Sequence, residues 1–160
     1  MVTLKEITWD NLRDVIDLKT TESQKGYLPS NAVFMAQAYV NLKMQYQDAC
    51  FAIYHDADLI GFTKIVFVPE HEKTFGFSED TYFIDAMMID EKHQGKGYGK
   101  LALPEIIAFI RIEPWGKVCS IKLSCYDGNT AAANLCGQFG FAGTDQFIPG
   151  KAGLRIYAMR

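Results

Sequence analysis

Three glycines at alternate positions, Gly95, Gly97 and Gly99, fall within the run His93-Gln94-Gly95-Lys96-Gly97-Tyr98-Gly99-Lys100. A residue without Cβ takes positive φ at little cost, so such a run curls tightly and turns its N–H groups into one concavity. A helix-like stretch follows at once, and its N-terminus adds the positive end of the helix dipole. Lys96 and Lys100 bring two cationic side chains to the same end. The chemistry that suits this combination is the binding of a phosphate or pyrophosphate. Spacing separates it from other phosphate turns. A Walker loop needs four residues between its glycines and a hydroxyl residue after the lysine, but Leu101 follows Lys100. The dinucleotide fingerprint is G-x-G-x-x-G, whereas these glycines run G-x-G-x-G.

Other reactive side chains form no comparable pattern. Cys50, Cys119, Cys125 and Cys136 lack Cys-x-x-Cys spacing, so no zinc framework and no metal site are expected. Scattered thiols of this kind fit a reducing compartment and read as small buried hydrophobes. His93 reads as an exposed neighbour of the turn, and His55 and His71 fall in a hairpin and a loop. Asp90 reads as the start of the turn.

The elements that must position these residues follow from periodicity and punctuation. Residues 2–7 read as a strand and 10–19 as a helix, with Leu12, Val15 and Ile16 at helical spacing. Gly26-Tyr27-Leu28-Pro29 breaks the chain, and Ser30 can cap a helix running to about residue 44. Residues 50–54 and 59–68 read as an antiparallel hairpin, 69–80 as a polar loop and 81–89 as a strand leading into the glycine turn. A helix over 99–112 contains Pro104, which removes a hydrogen bond and predicts a kink. A strand over 118–126, a helix over 129–139 and a strand over 154–159 complete the chain. The order βααβββαβαβ predicts an α/β (α+β) fold, a mixed central sheet with helices on both faces. At 160 residues the chain is expected to be one domain, 1–160, large enough for a substantial core.

A formal charge of −3 argues against a general nucleic-acid binder, since phosphate backbones recruit basic faces, and is compatible with a cationic substrate. The first residues, Met1 to Glu6, lack a basic region followed by an apolar stretch, and no apolar run approaches the length of a membrane span. The expectation is a cytoplasmic protein without a membrane or nucleic-acid partner.

Gln94-Gly95-Lys96-Gly97-Tyr98-Gly99 has the form Arg/Gln-x-x-Gly-x-Gly/Ala and resembles the pyrophosphate loop of the GNAT family of acyl-CoA-dependent N-acetyltransferases. Asn129-Thr130-Ala131-Ala132-Ala133-Asn134-Leu135-Cys136-Gly137-Gln138-Phe139-Gly140-Phe141 is similar to that family's C-terminal pattern, Asn-x-x-Ala-x-x-Leu-Tyr-x-x-x-Gly-Phe. Gln24-x-x-Tyr27-Leu28-x-x-Asn31, Ala36-Gln37-Ala38 and the run from Tyr82 to Asp90 resemble the bacterial spermine/spermidine N-acetyltransferases of the family. Together these matches span residues 22–141.

The resemblance implies the GNAT fold and direct transfer of an acetyl group from acetyl-CoA to a primary amine, with a polyamine as the leading acceptor. Amino sugars, amino acids or a protein N-terminus are the rival acceptors, and a CoA-binding module without efficient turnover is the rival class. It also implies a homodimer. Met87, Met88 and Ile89 would pair with the pantetheine arm, and one N–H there would steady the thioester oxygen. Gln94, Gly95, Lys96, Gly97, Tyr98, Gly99 and Lys100 would hold the pyrophosphate, and Asn129 would lie near the pantetheine. Asp85 matches the strand carboxylate that draws the amine's proton through water; its other reading is a structural carboxylate, capping a helix or paired with Lys or Arg. Cys136 stands where the family usually has Tyr, placed to protonate the departing thiolate. A free thiol near pKa 8.5 is acidic enough, but it is much shorter than a phenol. Water, or another tyrosine such as Tyr126 or Tyr157, would then take that role, with Cys136 a small buried side chain. Carboxylates at Asp14, Asp17, Glu22, Glu70, Glu72, Glu79 and Asp80 would form either a wall for a cation or a solvated face. Tyr27, Phe34 and Tyr82 would either contact the amine's aliphatic stretches or belong to the core.

Overall fold

A computed structural model describes residues 1–72 and 74–159. Seven strands form one sheet in the order β1-β2-β3-β4-β5-β7-β6: β1 (Val2–Glu6), β2 (Gln47–His55), β3 (Asp58–Val68), β4 (Thr81–Ile89), β5 (Ser120–Tyr126), β6 (Phe141–Phe147) and β7 (Leu154–Met159). The helices are α1 (Leu12–Asp17), α2 (Asn31–Lys43), α3 (Tyr98–Arg111) and α4 (Thr130–Gln138). Among the described strands of this sheet only β4 and β5 pair in parallel, so the sheet is mixed.

Helices cover both faces because adjacent residues in a strand point to opposite sides. On one face Val15 and Phe34 from α1 and α2 pack with Ala52, Phe62, Ala86 and Met88. On the other, Leu103, Ile106, Ile107 and Ile110 of α3 and Cys136 of α4 pack with Ile65, Ile84, Ile121 and Leu123. The α3 residues recur at three- and four-residue spacing, which gives one apolar stripe. Pro104 lies inside this helix, and the helix runs unbroken through it although Lys100 has no N–H at that position to bond.

The sequence-derived order is short by one strand. Phe141–Phe147 forms β6 at the sheet edge, so the observed order ends in two consecutive strands rather than one. Phe141 alone is buried there, Gly143 and Asp145 interrupt any apolar alternation, and the pairing with β7 slips between Gly143 and Phe147. An edge strand of this composition carries almost no periodic signal. Ser30 stands at the N-cap of α2 as the sequence predicts, but its side chain makes no capping bond.

Candidate active site

The site begins where the parallel pairing fails. β4 and β5 pair through Thr81–Ser120, Tyr82–Ile121, Phe83–Lys122 and Ile84–Leu123, and beyond Ile84 that pairing stops. The two strands part there and open a cleft of about 770 Å³. Met87, Met88 and Ile89 line one arm, Ser124, Cys125 and Tyr126 the other. β4 remains paired with β3 along this stretch, from Ala86 opposite Lys64 to Ile89 opposite Gly61. Its backbone groups on the β5 side are therefore an open strand edge, able to pair with an extended ligand.

The glycine turn closes one end. Asp90 is buried and fastens its start: Oδ1 accepts from Lys19 N at 2.9 Å, Oδ2 from Lys92 N at 3.2 Å, and its carbonyl accepts from His93 N and Gln94 N. Gly95 and Gly97 have φ of 76° and 81°, the left-handed region that glycine enters most cheaply. The N–H groups of Gly95, Lys96 and Gly97 make no hydrogen bond with another described residue, which leaves them for an anion at the start of α3. Gly99 has a different reason: it is already helical, and a Cβ there would stand 3.0 Å from Leu135 Cδ2. Two glycines shape the turn; the third lets α3 and α4 approach.

The side chains of the turn are less uniformly placed than the sequence predicts. Gln94 donates from Nε2 to Gln24 Oε1 at 2.7 Å and to the Ile89 carbonyl at 2.9 Å, tying the turn to the segment before α2 and to the end of β4. Lys96 turns back to the Lys92 carbonyl at 2.9 Å and does not line the cleft, whereas Lys100 does. His93 is half-buried, lines the cleft and lies 6.1 Å from the Tyr98 ring. Asn129 lines the cleft while its side chain caps α4, accepting from Ala132 N at 3.3 Å.

Asp85 occupies the branch point. Lys64 pairs with Ala86 and Ile65 with Ile84, which leaves Asp85 as the extra residue of a β-bulge. The bulge brings Asp85 to the face occupied by Lys64, where Nζ lies 2.7 Å from Asp85 Oδ2. Lys64 also lies 3.2 Å from Asp48 Oδ2, to which Asn41 Nδ2 donates at 2.6 Å. Side-chain exposure falls from 21% at Asp85 to 3% at Lys64 and 1% at Asp48. Burial by itself would lower the Lys64 ammonium, but the charges of Asp85 and Asp48 outweigh it and hold the group above its ordinary value. Burial raises the Asp48 carboxyl against the opposing pull of Lys64 and Asn41. Asp85 is thus ion-paired, as its structural reading requires, and it also reaches the cleft.

Cys136 lies against the core at 7% exposure and borders the cleft. Burial, with Cys125 nearby, pushes its thiol up to about 12, so it is a weaker acid here than a free thiol. Of the two tyrosines that could stand in, Tyr126 lines the cleft and stacks on Tyr27 with ring centres 5.8 Å apart. Tyr157 lies outside the lining, packed against the core. Tyr27 and Phe34 line the cleft, but Tyr82 is fully buried and donates its hydroxyl to the Gly116 carbonyl at 2.9 Å. Glu72 lines the far end, where Tyr46 donates to its Oε2 at 2.8 Å; Asp14, Asp17 and Glu22 lie on an exposed surface. No sequence motif marks Asp48, Lys64 or Asn41. Their one trace in the sequence is a lysine standing alone in the apolar run 59–68.

The cleft between a splayed strand pair, with a glycine turn and a helix N-terminus at one end, accords with a match to the acetyltransferase (GNAT) family over residues 12–141. The chain belongs to that family and is an acetyl-CoA-dependent N-acetyltransferase. It is similar to the spermine/spermidine N(1)-acetyltransferase of Bacillus subtilis (strain 168), with 29% identity over 140 residues, 88% of this chain and 87% of the relative. Among solved structures it is similar in fold to an aminoglycoside acetyltransferase in complex with coenzyme A and kanamycin, with a TM-score of 0.77 and 17% identity over 99% of this chain and 93% of the other. The spermidine N-acetyltransferase from Vibrio cholerae, in complex with CoA and spermine, has a TM-score of 0.63 and 17% identity, covering 98% and 92%. The described residues hold no cluster of His, Cys, Asp or Glu suited to a metal ion, and no helix among them is long and apolar enough to cross a membrane.

Proposed function

We propose that the chain acetylates a small cationic amine, a polyamine of the spermine or spermidine kind. The observation that carries this reading is Asp85, a carboxylate set by a bulge at the point where β4 leaves β5 and reaching into the cleft. A carboxylate there attracts an ammonium group and can take its proton through water, a role worth roughly 10²–10⁴ in rate. Tyr27 and Phe34 offer apolar surface to the methylene stretches of the amine. The relative named as a spermine/spermidine acetyltransferase supports the choice of polyamine.

Acetyl-CoA supplies the acetyl group as an activated thioester. The residues present fit it: Met87, Met88 and Ile89 offer an open strand edge to the pantetheine, and the N–H groups of Gly95, Lys96 and Gly97 offer donors to the pyrophosphate, with Lys100 adding charge. Gln94 acts through position, holding the Ile89 carbonyl and the turn together, and Asn129 fixes the start of α4 beside the arm. Cys136 is assigned no proton transfer, because its thiol is held at about 12, and water serves the leaving thiolate.

Release of free CoA, measured against spermine, spermidine, an amino sugar and an N-terminal peptide, tests the acceptor. Preference for the polyamines by at least tenfold in kcat/KM is expected; equal rates across the panel would remove the polyamine assignment and leave a broader amine acetyltransferase. Asp85→Asn is expected to lower kcat by roughly 100-fold with little change in CoA affinity. Full activity of that variant at pH 7 would exclude Asp85 as the base.

A further inference from the structure

We propose that Asp48 and Lys64 are positioning residues that set the charge and the aim of Asp85, and so make this end of the cleft selective for a cationic group. The inference rests on the amine-acetylating reading above. Lys64 alone beside Asp85 would be a poor arrangement for that chemistry, since an ammonium 2.7 Å from a carboxylate cancels the charge that draws a second ammonium. Asp48 changes the balance. It shares the same ammonium at 3.2 Å from behind, so two carboxylates and one ammonium leave the array with one net negative charge.

Exposure decides where that charge is felt. Asp48 at 1% is shut away and Lys64 borders the cleft at only 3%, so Asp85 at 21% is the member most open to it. With Oδ2 held by Lys64, Oδ1 is the oxygen left to meet the substrate. Asp48 itself is costly to the fold. Its Oδ1 is buried and has no hydrogen-bond partner among the described residues, and burying a carboxylate and an ammonium carries a desolvation penalty that pairing seldom repays in full. An apolar pair at these positions would serve β2 and β3 at least as well. The arrangement is explained by what it does to Asp85.

The role separates into charge, from Asp48, and aim, from Lys64, and the two are measured differently. Spermidine binding to the CoA-loaded full chain is measured by calorimetry, and kcat by CoA release. Asp48→Asn keeps Lys64 on Asp85 but neutralises the array, so the Kd for spermidine should rise about tenfold while kcat stays within about threefold. Asp48→Asn combined with Lys64→Met restores the net negative charge and releases Asp85. Its Kd for spermidine should return to within about threefold of the wild type, while kcat falls about tenfold as the base loses its fixed orientation. CoA affinity should not change in either variant.

Unchanged spermidine affinity in Asp48→Asn, or a double variant that binds no better than the single one, would overturn the inference. If Asp48→Asn does not fold, the double variant decides alone, and a Kd more than tenfold above the wild type counts against it. The expected pattern of binding without turnover of any amine would support the charge array while removing the proposed acceptor chemistry. No binding of spermidine by the wild type would overturn the array as a cation site.

Discussion

At Gly97 the backbone has a φ of 81°, no described atom lies within 4 Å of where a Cβ would stand, and the N–H makes no bond within the described chain. Space is therefore not what requires glycine there; conformation is, together with the approach of an anion. Two substitutions of nearly equal size separate these demands. Asn tolerates the left-handed region better than most residues, so Gly97→Asn carries mainly the backbone cost, about 1 kcal/mol. Gly97→Asp adds a negative charge where the pyrophosphate is proposed to lie, against which like-charge repulsion in a partly wet site amounts to a few kcal/mol. The expected CoA affinities, by calorimetry, are a loss of no more than about tenfold for Asn and a further loss of roughly 100-fold for Asp. Equal affinity in the two variants would move the pyrophosphate away from this turn. Gly95, at φ 76° with the same open surroundings, should behave alike, whereas Gly99 should fail through packing against Leu135 instead.

Among the elements, β4 carries the most consequence, because it is at once a core strand, the carrier of the bulge at Asp85 and the free edge at the cleft. Its position is set from the β3 side by Gly61, opposite Ile89, where an added Cβ would stand 2.3 Å from the Met88 carbonyl oxygen. That obstacle is backbone and cannot swing aside, so Gly61→Ala must push the end of β4 toward the cleft. The expected cost is about 2 kcal/mol, or roughly 4–8 °C in Tm for a chain of this size. A drop in CoA affinity should accompany it, and an unchanged Tm would mean that β3 and β4 separate more easily than the packing implies. The strand itself was legible in the sequence, since 81–89 is an apolar run ending at an acidic turn, and so was the helix after the glycines. What was not legible is tertiary. Nothing in a single sequence says that β4 leaves β5 after Ile84, that Asp85 is an extra residue opposite Lys64 and Ile65, or that Lys64 and Asp48 meet it from two other strands. β6 was missed for the opposite reason, because it buries only Phe141 and needs no apolar pattern to be held by β7. The roles of the glycines were similarly mixed: the spacing pointed to the turn, but helix packing is what explains Gly99.

For the whole molecule, the shifted groups point to a fold that weakens in alkali from about pH 9. Burial, reinforced by Asp48, pushes the Cys50 thiol up to about 12, and burial with Cys125 nearby does the same at Cys136. An acid held neutral in the folded state ionises first in the unfolded chain. Between pH 9 and about 12 the folded state therefore binds more protons, and unfolding becomes more favourable as pH rises. Lys64 acts in the same direction over a later range. Its raised value means that its stabilising pairing is complete below 10.5 and is lost as pH climbs through the folded value. The expected signature, from urea titrations, is an unfolding free energy that is level near neutrality and falls from about pH 9, with a slope approaching about 1.4 kcal/mol per pH unit for each proton released. Replacing both thiols, Cys50→Ala with Cys136→Ala, should cost about 1–2 kcal/mol at pH 7 through lost packing and yet flatten the decline between pH 9 and 10.5. The two stability curves should converge as pH rises, in reductant and at fixed ionic strength. Parallel curves would assign the alkaline loss to groups other than these thiols. In the same variant, turnover at pH 7 should remain within about threefold of the wild type, because a thiol held at about 12 gives up no proton during catalysis.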